Sequence, residues 1–167
     1  MNDSERLVTR FYEAMKVRDV DTMAACYAPD ARFSDPVFTS LSGPEVPAMW
    51  RMLLGRAKSI EVTFRDVRGD GNTASAHWEA RYPFSQTGRD VHNVIDAKFV
   101  IENGLIKRHE DTFDLWRWSG MALGAKGKLL GWAPFVQGAI RKKAAQGLAD
   151  YLTSAVSHQR SAVSQRL

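Results

Sequence analysis

The segment Phe33-Ser34-Asp35-Pro36-Val37-Phe38-Thr39-Ser40 decides how this 167-residue chain is interpreted. It contains one carboxylate, Asp35, flanked by the apolar side chains of Phe33, Val37 and Phe38. A carboxylate with few water neighbours has a raised pKa and can carry protons near neutral pH. Alternatively, Asp35 caps a turn, because aspartate before proline favours turn initiation. The local sequence leaves both interpretations open.

Helical periodicity surrounds this segment on both sides. Asp3-Ser4 suit an N-cap, and a stripe of apolar residues at helical spacing from residue 7 to residue 15 predicts the first helix. A second, short helix is predicted from Asp19 or Asp21 to residue 27, followed by a short strand over 31–35. A third helix is predicted from residue 43 to about residue 56.

From Lys58 onward the apolar residues recur with a period of two. This alternation predicts strands over 60–67, 74–84, 91–101 and 105–116, separated by turns rich in Gly, Asn and Asp. Three helices followed by a four-stranded antiparallel meander indicate an α+β domain.

The chain continues well beyond the last predicted strand. Residues 119–131 are rich in Gly and Lys and predict a loop or broken helix, and an amphipathic helix is predicted over 134–157. We expect this helix to pack on the convex sheet face or on a partner subunit. The alternative is contact with an anionic membrane surface, which Trp132 and the basic residues of the tail favour. The expected organisation is a pocket domain over 1–118, an extension of the same domain over 119–157 and a disordered tail over 158–167.

Charge and composition restrict the function classes. The net charge of +4 is uneven, since residues 1–119 carry 16 Lys/Arg against 18 Asp/Glu and residues 120–167 carry seven against one. The single cysteine, Cys26, excludes an internal disulfide and predicts a buried structural thiol. With no apolar signal segment and no run of about 18 apolar residues, a cytoplasmic location is expected.

Several cofactor and partner classes lack their sequence signals. The four histidines, His77, His92, His109 and His158, have no metal-ligand spacing, and no phosphate-binding glycine loop or nucleophile elbow is present. The slightly acidic first 119 residues do not favour nucleic acid. We therefore expect no metal, no cofactor and no nucleic-acid partner.

The N-terminal third resembles a known superfamily. Three stretches carry the resemblance: Leu-Val-Thr-Arg-Phe-Tyr-Glu-Ala-Met from Leu7, Arg-Asp-Val-Asp from Arg18, and Tyr-Ala-Pro-Asp-Ala-Arg-Phe-Ser-Asp-Pro-Val from Tyr27. They are similar to the opening of the bacterial ketosteroid isomerases and, more broadly, of the nuclear transport factor 2-like superfamily, which includes SnoaL-like polyketide cyclases, scytalone dehydratases and limonene epoxide hydrolases. The resemblance implies a cone of curved sheet closed by helices around one deep pocket, with Asp35 as general base.

The last predicted strand supplies a second candidate group. His109, Asp111 and Phe113 alternate onto one face of it, so the carboxylate can orient and charge the imidazole. An exposed ion pair on the convex face is the alternative. SnoaL-like cyclases resemble this arrangement, which favours the interior and a catalytic set of Asp35, His109 and Asp111.

The resemblance leaves two positions open. Val94-Ile95-Asp96 resembles the isomerase strand that carries a protonated aspartate, but Ile95, Ala97 and Phe99 form the more apolar face, which predicts that Asp96 points outward. Phe11 occupies the place of the isomerase tyrosine that donates to the oxyanion, although Tyr12 beside it has a hydroxyl. Loss of such a donor costs about 2.7–4 kcal/mol, which argues against steroid isomerisation.

We therefore predict a SnoaL-like or isomerase-like protein that performs cofactor-independent acid/base chemistry, as an isomerase, cyclase or dehydratase, on a small hydrophobic carbonyl compound. The alternatives are a non-catalytic module that binds a small hydrophobic ligand, or a dimeric adaptor that uses the basic C-terminal helix at a membrane. A homodimer is expected, because superfamily members commonly pair through the sheet face. Aromatic and polar residues are predicted to line the substrate pocket: Phe11, Tyr12, Trp50, Trp78, Tyr82 and Asn93.

Overall fold

The computed structural model describes residues 1–165 and has the predicted α+β architecture. Three helices come first, interleaved with two strands: α1 (Asp3–Lys16), α2 (Val20–Ala25), β1 (Tyr27–Ser34), β2 (Leu41–Ser42) and α3 (Glu45–Arg56). Four long strands and three helices follow: β3 (Glu61–Asp70), β4 (Thr73–Pro83), β5 (Asp90–Glu102), β6 (Leu105–Thr112), α4 (Leu115–Leu123), α5 (Ala125–Leu130) and α6 (Pro134–Ser164).

The strands form one curved mixed sheet in the order β2-β1-β6-β5-β4-β3. Strands β3 to β6 are the predicted antiparallel meander. Strand β1 extends it by pairing in parallel with β6, and Phe33 lies opposite His109 in that register. Strand β1 begins at Tyr27, which the sequence had assigned to the second helix; its pairing with β6 is irregular between Tyr27 and Arg32, where Pro29 lies.

The inner face of the sheet carries the core. Side chains alternate across β4, so that Ala74, Ala76, Trp78 and Ala80 are buried against the N-terminal helices. Helix α1 contributes its predicted apolar stripe, but its N-cap is Asn2 rather than Asp3 or Ser4. Asn2 and Glu5 form a capping box in which each side chain accepts a hydrogen bond from the other residue's backbone N–H. Cys26 is buried, as predicted.

The last strand is shorter than the sequence suggested. Strand β6 ends at Thr112 and not near residue 116, because the Asp114 side chain accepts a hydrogen bond from the Arg117 N–H at 3.0 Å and starts α4. The Gly- and Lys-rich stretch forms α4 and α5, which are joined at Gly124 with φ of 72°. This conformation favours glycine, so the broken helix expected for 119–131 has a clear break point.

The C-terminal helix differs from its prediction in length and in packing. Helix α6 continues to Ser164 instead of ending at residue 157, so residues 158–164 are helical and exposed rather than disordered, and the last two residues of the predicted tail lie outside the described part of the chain. It packs on α3, with Leu148 in the core, rather than on the convex sheet face. Phe135, which lies within the predicted amphipathic helix, is 71% exposed. Between residues 1 and 165, no helix combines the length and apolar character that crossing a bilayer requires.

Candidate active site

A chain of buried hydrogen bonds runs through His109 on the inner face of β6. The hydroxyl of Tyr27 lies 2.7 Å from His109 Nδ1, and His109 Nε2 lies 2.9 Å from Asp111 Oδ1. Two indoles complete the network: Trp50 Nε1 donates to the Tyr27 hydroxyl at 3.0 Å, and Trp78 Nε1 donates to Asp111 Oδ1 at 3.3 Å. The His109–Asp111 pair therefore faces inward, as predicted, and not the convex face.

These contacts assign the direction of each hydrogen bond. Because the Tyr27 oxygen accepts from Trp50, its own proton is available to His109 Nδ1. His109 then carries its proton on Nε2 and donates it to the Asp111 carboxylate, which also accepts from Trp78. Only this tautomer satisfies every donor in the chain, so the imidazole has one orientation and one hydrogen-bonded form.

Aromatic rings enclose the imidazole completely. His109 has no exposed surface, and the rings of Phe11, Phe33, Trp50 and Phe99 lie with their centroids between 4.3 and 6.2 Å from its own. Phe11, Trp50 and Trp78 are thus buried neighbours of the network. The interior is filled by these side chains in this closed arrangement, so the deep pocket expected from the sequence stays a prediction.

Asp35 has both the turn geometry and the burial that its sequence context predicted. Its Oδ1 accepts hydrogen bonds from the backbone N–H groups of Val37 at 2.7 Å and Phe38 at 2.6 Å, which is the turn-capping interpretation. The pKa of Asp35 is nevertheless raised to about 7, chiefly by burial and to a smaller extent by the Asp111 charge, against the lowering effect of these two bonds. Both turn bonds use Oδ1, so the turn leaves Oδ2 available.

Asp35 follows directly after β1 and lies near Asp111, whose charge acts on it. The parallel register pairs Phe33 with His109 and Ser34 with Glu110, so the next position along β1 brings Asp35 towards Asp111. The charge of Asp35 also contributes to the raised pKa of Tyr82, although burial is the larger cause. The three predicted catalytic residues and Tyr82 therefore occupy one region of the inner face.

Tyr12 carries an unused hydroxyl in this interior. The side chain is fully buried, and its Oη has no hydrogen-bond partner within residues 1–165. Burial raises the pKa of Tyr12 well above its usual value, and the nearby Asp111 charge adds to the effect. A buried hydroxyl without a partner is energetically costly, which marks this oxygen as a group available to a ligand.

The remaining predicted residues divide between the two sheet faces. Asn93 is buried on the inner face, opposite Ala80. Asp96 points outward, as predicted, with its side chain 79% exposed and its Oδ1 2.9 Å from His77 Nδ1. Asp96 therefore lies on the opposite face of the sheet from Asp111 and does not add a second carboxylate to the interior.

Sequence reasoning did not identify Tyr27 or Trp118 as parts of the site. Tyr27 was assigned to a helix, although Tyr27, Ala31 and Phe33 are the buried residues of one strand and could have indicated a strand start. Trp118 Nε1 donates to the Tyr82 hydroxyl at 2.9 Å from α4, a helix that the sequence analysis divided between the end of the last strand and the loop or broken helix over 119–131. No local signal links residue 118 to residue 82.

The C-terminal helices cover the Asp35 end of the inner face. Trp118 of α4 packs with Val91, Leu115 and Ala122 in a second apolar cluster, and Arg141 Nε of α6 donates to the Pro36 carbonyl at 2.9 Å. A surface groove of about 430 Å³ runs between α6 and the turn that contains Val37 and Phe38. Its walls thus include the two residues whose N–H groups bind Asp35.

No group of three or more His, Cys, Asp or Glu side chains in residues 1–165 is arranged to hold a metal ion. On the outer sheet face, Glu79 Oε2 lies 2.6 Å from His92 Nε2, and its pKa is lowered chiefly by that bond.

The curved sheet, its covering helices and the inward-facing network define a protein of the nuclear transport factor 2-like superfamily. Within that superfamily the chain belongs to the SnoaL-like domain family, whose model matches residues 8–109. The match includes Asp35 and His109 and ends before Asp111. No match was found among curated proteins.

Solved structures share the fold at low sequence identity. A nuclear transport factor 2-like protein of unknown function from Burkholderia pseudomallei is 22% identical, with a TM-score of 0.65 over 73% of this chain and 98% of its own. An epoxide hydrolase of the LEH-like type from M. tuberculosis is 21% identical, with a TM-score of 0.61 over 76% and 92%. A protein with a ketosteroid isomerase-like fold from Catenulispora acidiphila, in complex with trimethylamine, is 13% identical, with a TM-score of 0.63 over 77% and 97%.

Proposed function

We propose that this protein is an enzyme of the isomerase, cyclase or dehydratase type that acts on a small apolar carbonyl compound without a cofactor. One observation carries the proposal: Asp35, a carboxyl group whose pKa is raised to about 7 chiefly by burial, lies close enough to Asp111 of the Tyr27–His109–Asp111 network to feel its charge. A base with that pKa is half ionised near neutral pH, where it can both take up and return a proton.

The roles of the individual groups follow from their chemistry. Asp35 removes a proton from the carbon next to the substrate carbonyl, using Oδ2, while Oδ1 remains in the turn with Val37 and Phe38. Negative charge then develops on the carbonyl oxygen and needs hydrogen-bond donors in a site without water. The buried, unpartnered Tyr12 hydroxyl supports that role and compensates for Phe11, which has none.

His109 and Asp111 complete the proposed mechanism. The imidazole carries its proton on Nε2, towards Asp111, and this N–H can donate a hydrogen bond that stabilises a developing oxyanion once a substrate displaces the neighbouring rings. Asp111 keeps the proton on Nε2 and so orients the imidazole for this role. The aromatic enclosure, together with Tyr82 and Asn93, supports an apolar substrate with few polar groups.

The groove between α6 and the Asp35 turn supports a route for the substrate. The groove leads from the protein surface to the turn that holds Asp35. Arg141 crosses the groove and donates a hydrogen bond to the Pro36 carbonyl. Because His109 is fully enclosed, binding requires that the C-terminal helices or the aromatic side chains move.

The decisive experiment measures proton abstraction directly and does not need the natural substrate. Small apolar ketones are incubated with the protein in D2O, and deuterium incorporation next to the carbonyl is followed by mass spectrometry. We expect Asp35→Asn to remain folded and to abolish exchange, and Asp111→Asn to reduce it less by misorienting His109. The matched control, Asp96→Asn on the outer face, should exchange at the wild-type rate.

The same experiment separates the enzyme from a binding module. Ketone binding without exchange in the wild type would favour a non-catalytic module, and equal exchange by wild type and Asp35→Asn would refute Asp35 as the base. Homodimerisation through the outer sheet face is a separate proposal. Light scattering that gives about 18.7 kDa at micromolar concentration would contradict it.

A further inference from the structure

The turn between α5 and α6 displays an unusual set of exposed apolar side chains. We call these four residues the apolar corner: Leu129 is 72% exposed, Leu130 43%, Trp132 58% and Phe135 71%. Trp116 of α4 adjoins them at 49% exposure, since its Nε1 donates to the Lys128 carbonyl at 3.0 Å. Large apolar side chains concentrated in this way mark an interaction surface rather than ordinary surface scatter.

Hydrogen bonds hold the corner in this exposed form. Trp132 Nε1 donates to the Leu129 carbonyl at 2.9 Å, and Gln137 Nε2 donates to the Gly131 carbonyl at 3.0 Å. Both exposed indoles, Trp116 and Trp132, thus have their polar N–H groups satisfied by the protein. Their apolar ring surfaces can leave water without breaking a hydrogen bond, which lowers the cost of insertion into an apolar phase.

The sequence around the corner is predominantly basic. Residues 115–149 contain six Lys or Arg and no Asp or Glu. Lys126 and Lys128 are exposed on α5, immediately before the corner. One acidic group, Asp114, caps α4 and lines a surface cavity together with Trp116 and Lys128. A partner for this surface must therefore accept apolar side chains and positive charge together.

We propose that the apolar corner inserts into the interfacial region of an anionic lipid bilayer. Trp and Phe favour the membrane–water interface, and Lys126 and Lys128 would lie at the level of acidic headgroups. A second copy of the chain fits less well, because symmetric pairing of two corners would bring their lysines together. This proposal is independent of the acid/base function.

Vesicle sedimentation tests the proposal. We expect the protein to bind vesicles of 30% phosphatidylglycerol in phosphatidylcholine, to bind pure phosphatidylcholine at least about tenfold less, and to be released by 0.5 M NaCl. Lys126→Glu with Lys128→Glu should remove the preference for anionic vesicles. Trp132→Ala with Phe135→Ser should lower binding at least about tenfold. The matched control, Val163→Ser, removes an apolar residue that is 63% exposed elsewhere on α6 and should bind normally.

Brominated lipids distinguish insertion from surface adsorption. Of the five tryptophans, Trp50, Trp78 and Trp118 are buried, so quenching by brominated chains reports on Trp116 and Trp132. Trp132→Phe should keep wild-type binding and lose much of the quenching. Absence of binding, equal binding to neutral vesicles, or no effect of the corner substitutions would overturn the proposal. So would a dimer in light scattering that Trp132→Ala with Phe135→Ser converts to a monomer, because the corner would then be a protein interface.

Discussion

The hydroxyl of Tyr27, at the start of β1, lies 2.7 Å from Nδ1 of His109 on β6. This bond joins the two strands that pair in parallel and fixes the imidazole from the side opposite Asp111. The position of the His109 imidazole therefore depends on Tyr27 as well as on Asp111.

Removing the Tyr27 hydroxyl should destabilise the protein. In Tyr27→Phe, the buried His109 Nδ1 loses its donor and Trp50 Nε1 loses its acceptor, which should cost about 1–3 kcal/mol in the free energy of unfolding, measured by urea titration. The ¹⁵N resonance of Nδ1 should move, while the proton stays on Nε2 because Asp111 still accepts it. Tyr151→Phe, outside the network, should change neither quantity. A wild-type spectrum with the proton on Nδ1 would contradict our assignment.

Asp35 should make stability depend on pH in the direction opposite to most carboxylates. Its pKa rises from an ordinary 3.8 to about 7 on folding, so the folded protein favours the protonated form. The associated stability is complete below pH 4 and is lost as the pH rises through about 7. Because Asp35 is partly exposed, we expect a loss on the order of 2 kcal/mol between pH 4 and pH 8.

The measurement compares urea unfolding of wild type and Asp35→Asn at pH 4 to 8. Asparagine keeps an oxygen that can accept from Val37 and Phe38 but does not titrate, so the difference between the two proteins should change with pH as stated. Asp96→Asn should follow the wild type. Parallel profiles for wild type and Asp35→Asn would show that the Asp35 pKa is not raised.

The same ionisation should control turnover. As general base Asp35 must be ionised, so ketone proton exchange should increase as the pH rises from 5 and should level off above about 7. A rate that is flat across this interval would exclude Asp35 as the rate-determining base.

Close backbone packing makes the covering helices sensitive to one methyl group. A Cβ at Gly127 of α5 would overlap the carbonyl oxygen of Ser119 in α4, whereas a Cβ at Gly138 of α6 would meet no atom within 4 Å. Gly127→Ala should therefore separate α5 from α4, cost about 1–3 kcal/mol and increase hydrogen exchange in α5. Gly138→Ala should stabilise α6 by up to about 1 kcal/mol. Equal thermal stability of the two variants would contradict this packing.

Local sequence patterns predicted most of the helices and strands, because the spacing of apolar residues along a segment reflects which of its side chains are buried. The period of two predicted the bounds of β3 to β6 to within a few residues. The apolar face formed by Ile95, Ala97 and Phe99 correctly predicted that Asp96 points outward. Side-chain capping was harder to anticipate: Asp114 ended the last strand early by starting a helix.

Contacts distant in sequence were not predictable in the same way. The bond between Tyr27 and His109 depends on parallel pairing of β1 with β6, and the Trp118–Tyr82 bond depends on where α4 packs. Neither leaves a periodic signal in one segment. The family resemblance supplied the expectation that Asp35 lies near His109, and it could not extend to the C-terminal helices.

The parallel pairing of β1 with β6 also governs how the chain is made. Tyr27 and His109 are separated by 82 positions, so β1 can pair with β2 early but acquires its second neighbour only when β6, the last strand, has formed. Contacts of such long sequence separation slow folding, because a large loop must be closed before they form. During synthesis the first hundred residues accordingly present unpaired edges on β1 and β5, and a nascent chain stalled before β6 would be a target for chaperones and for aggregation.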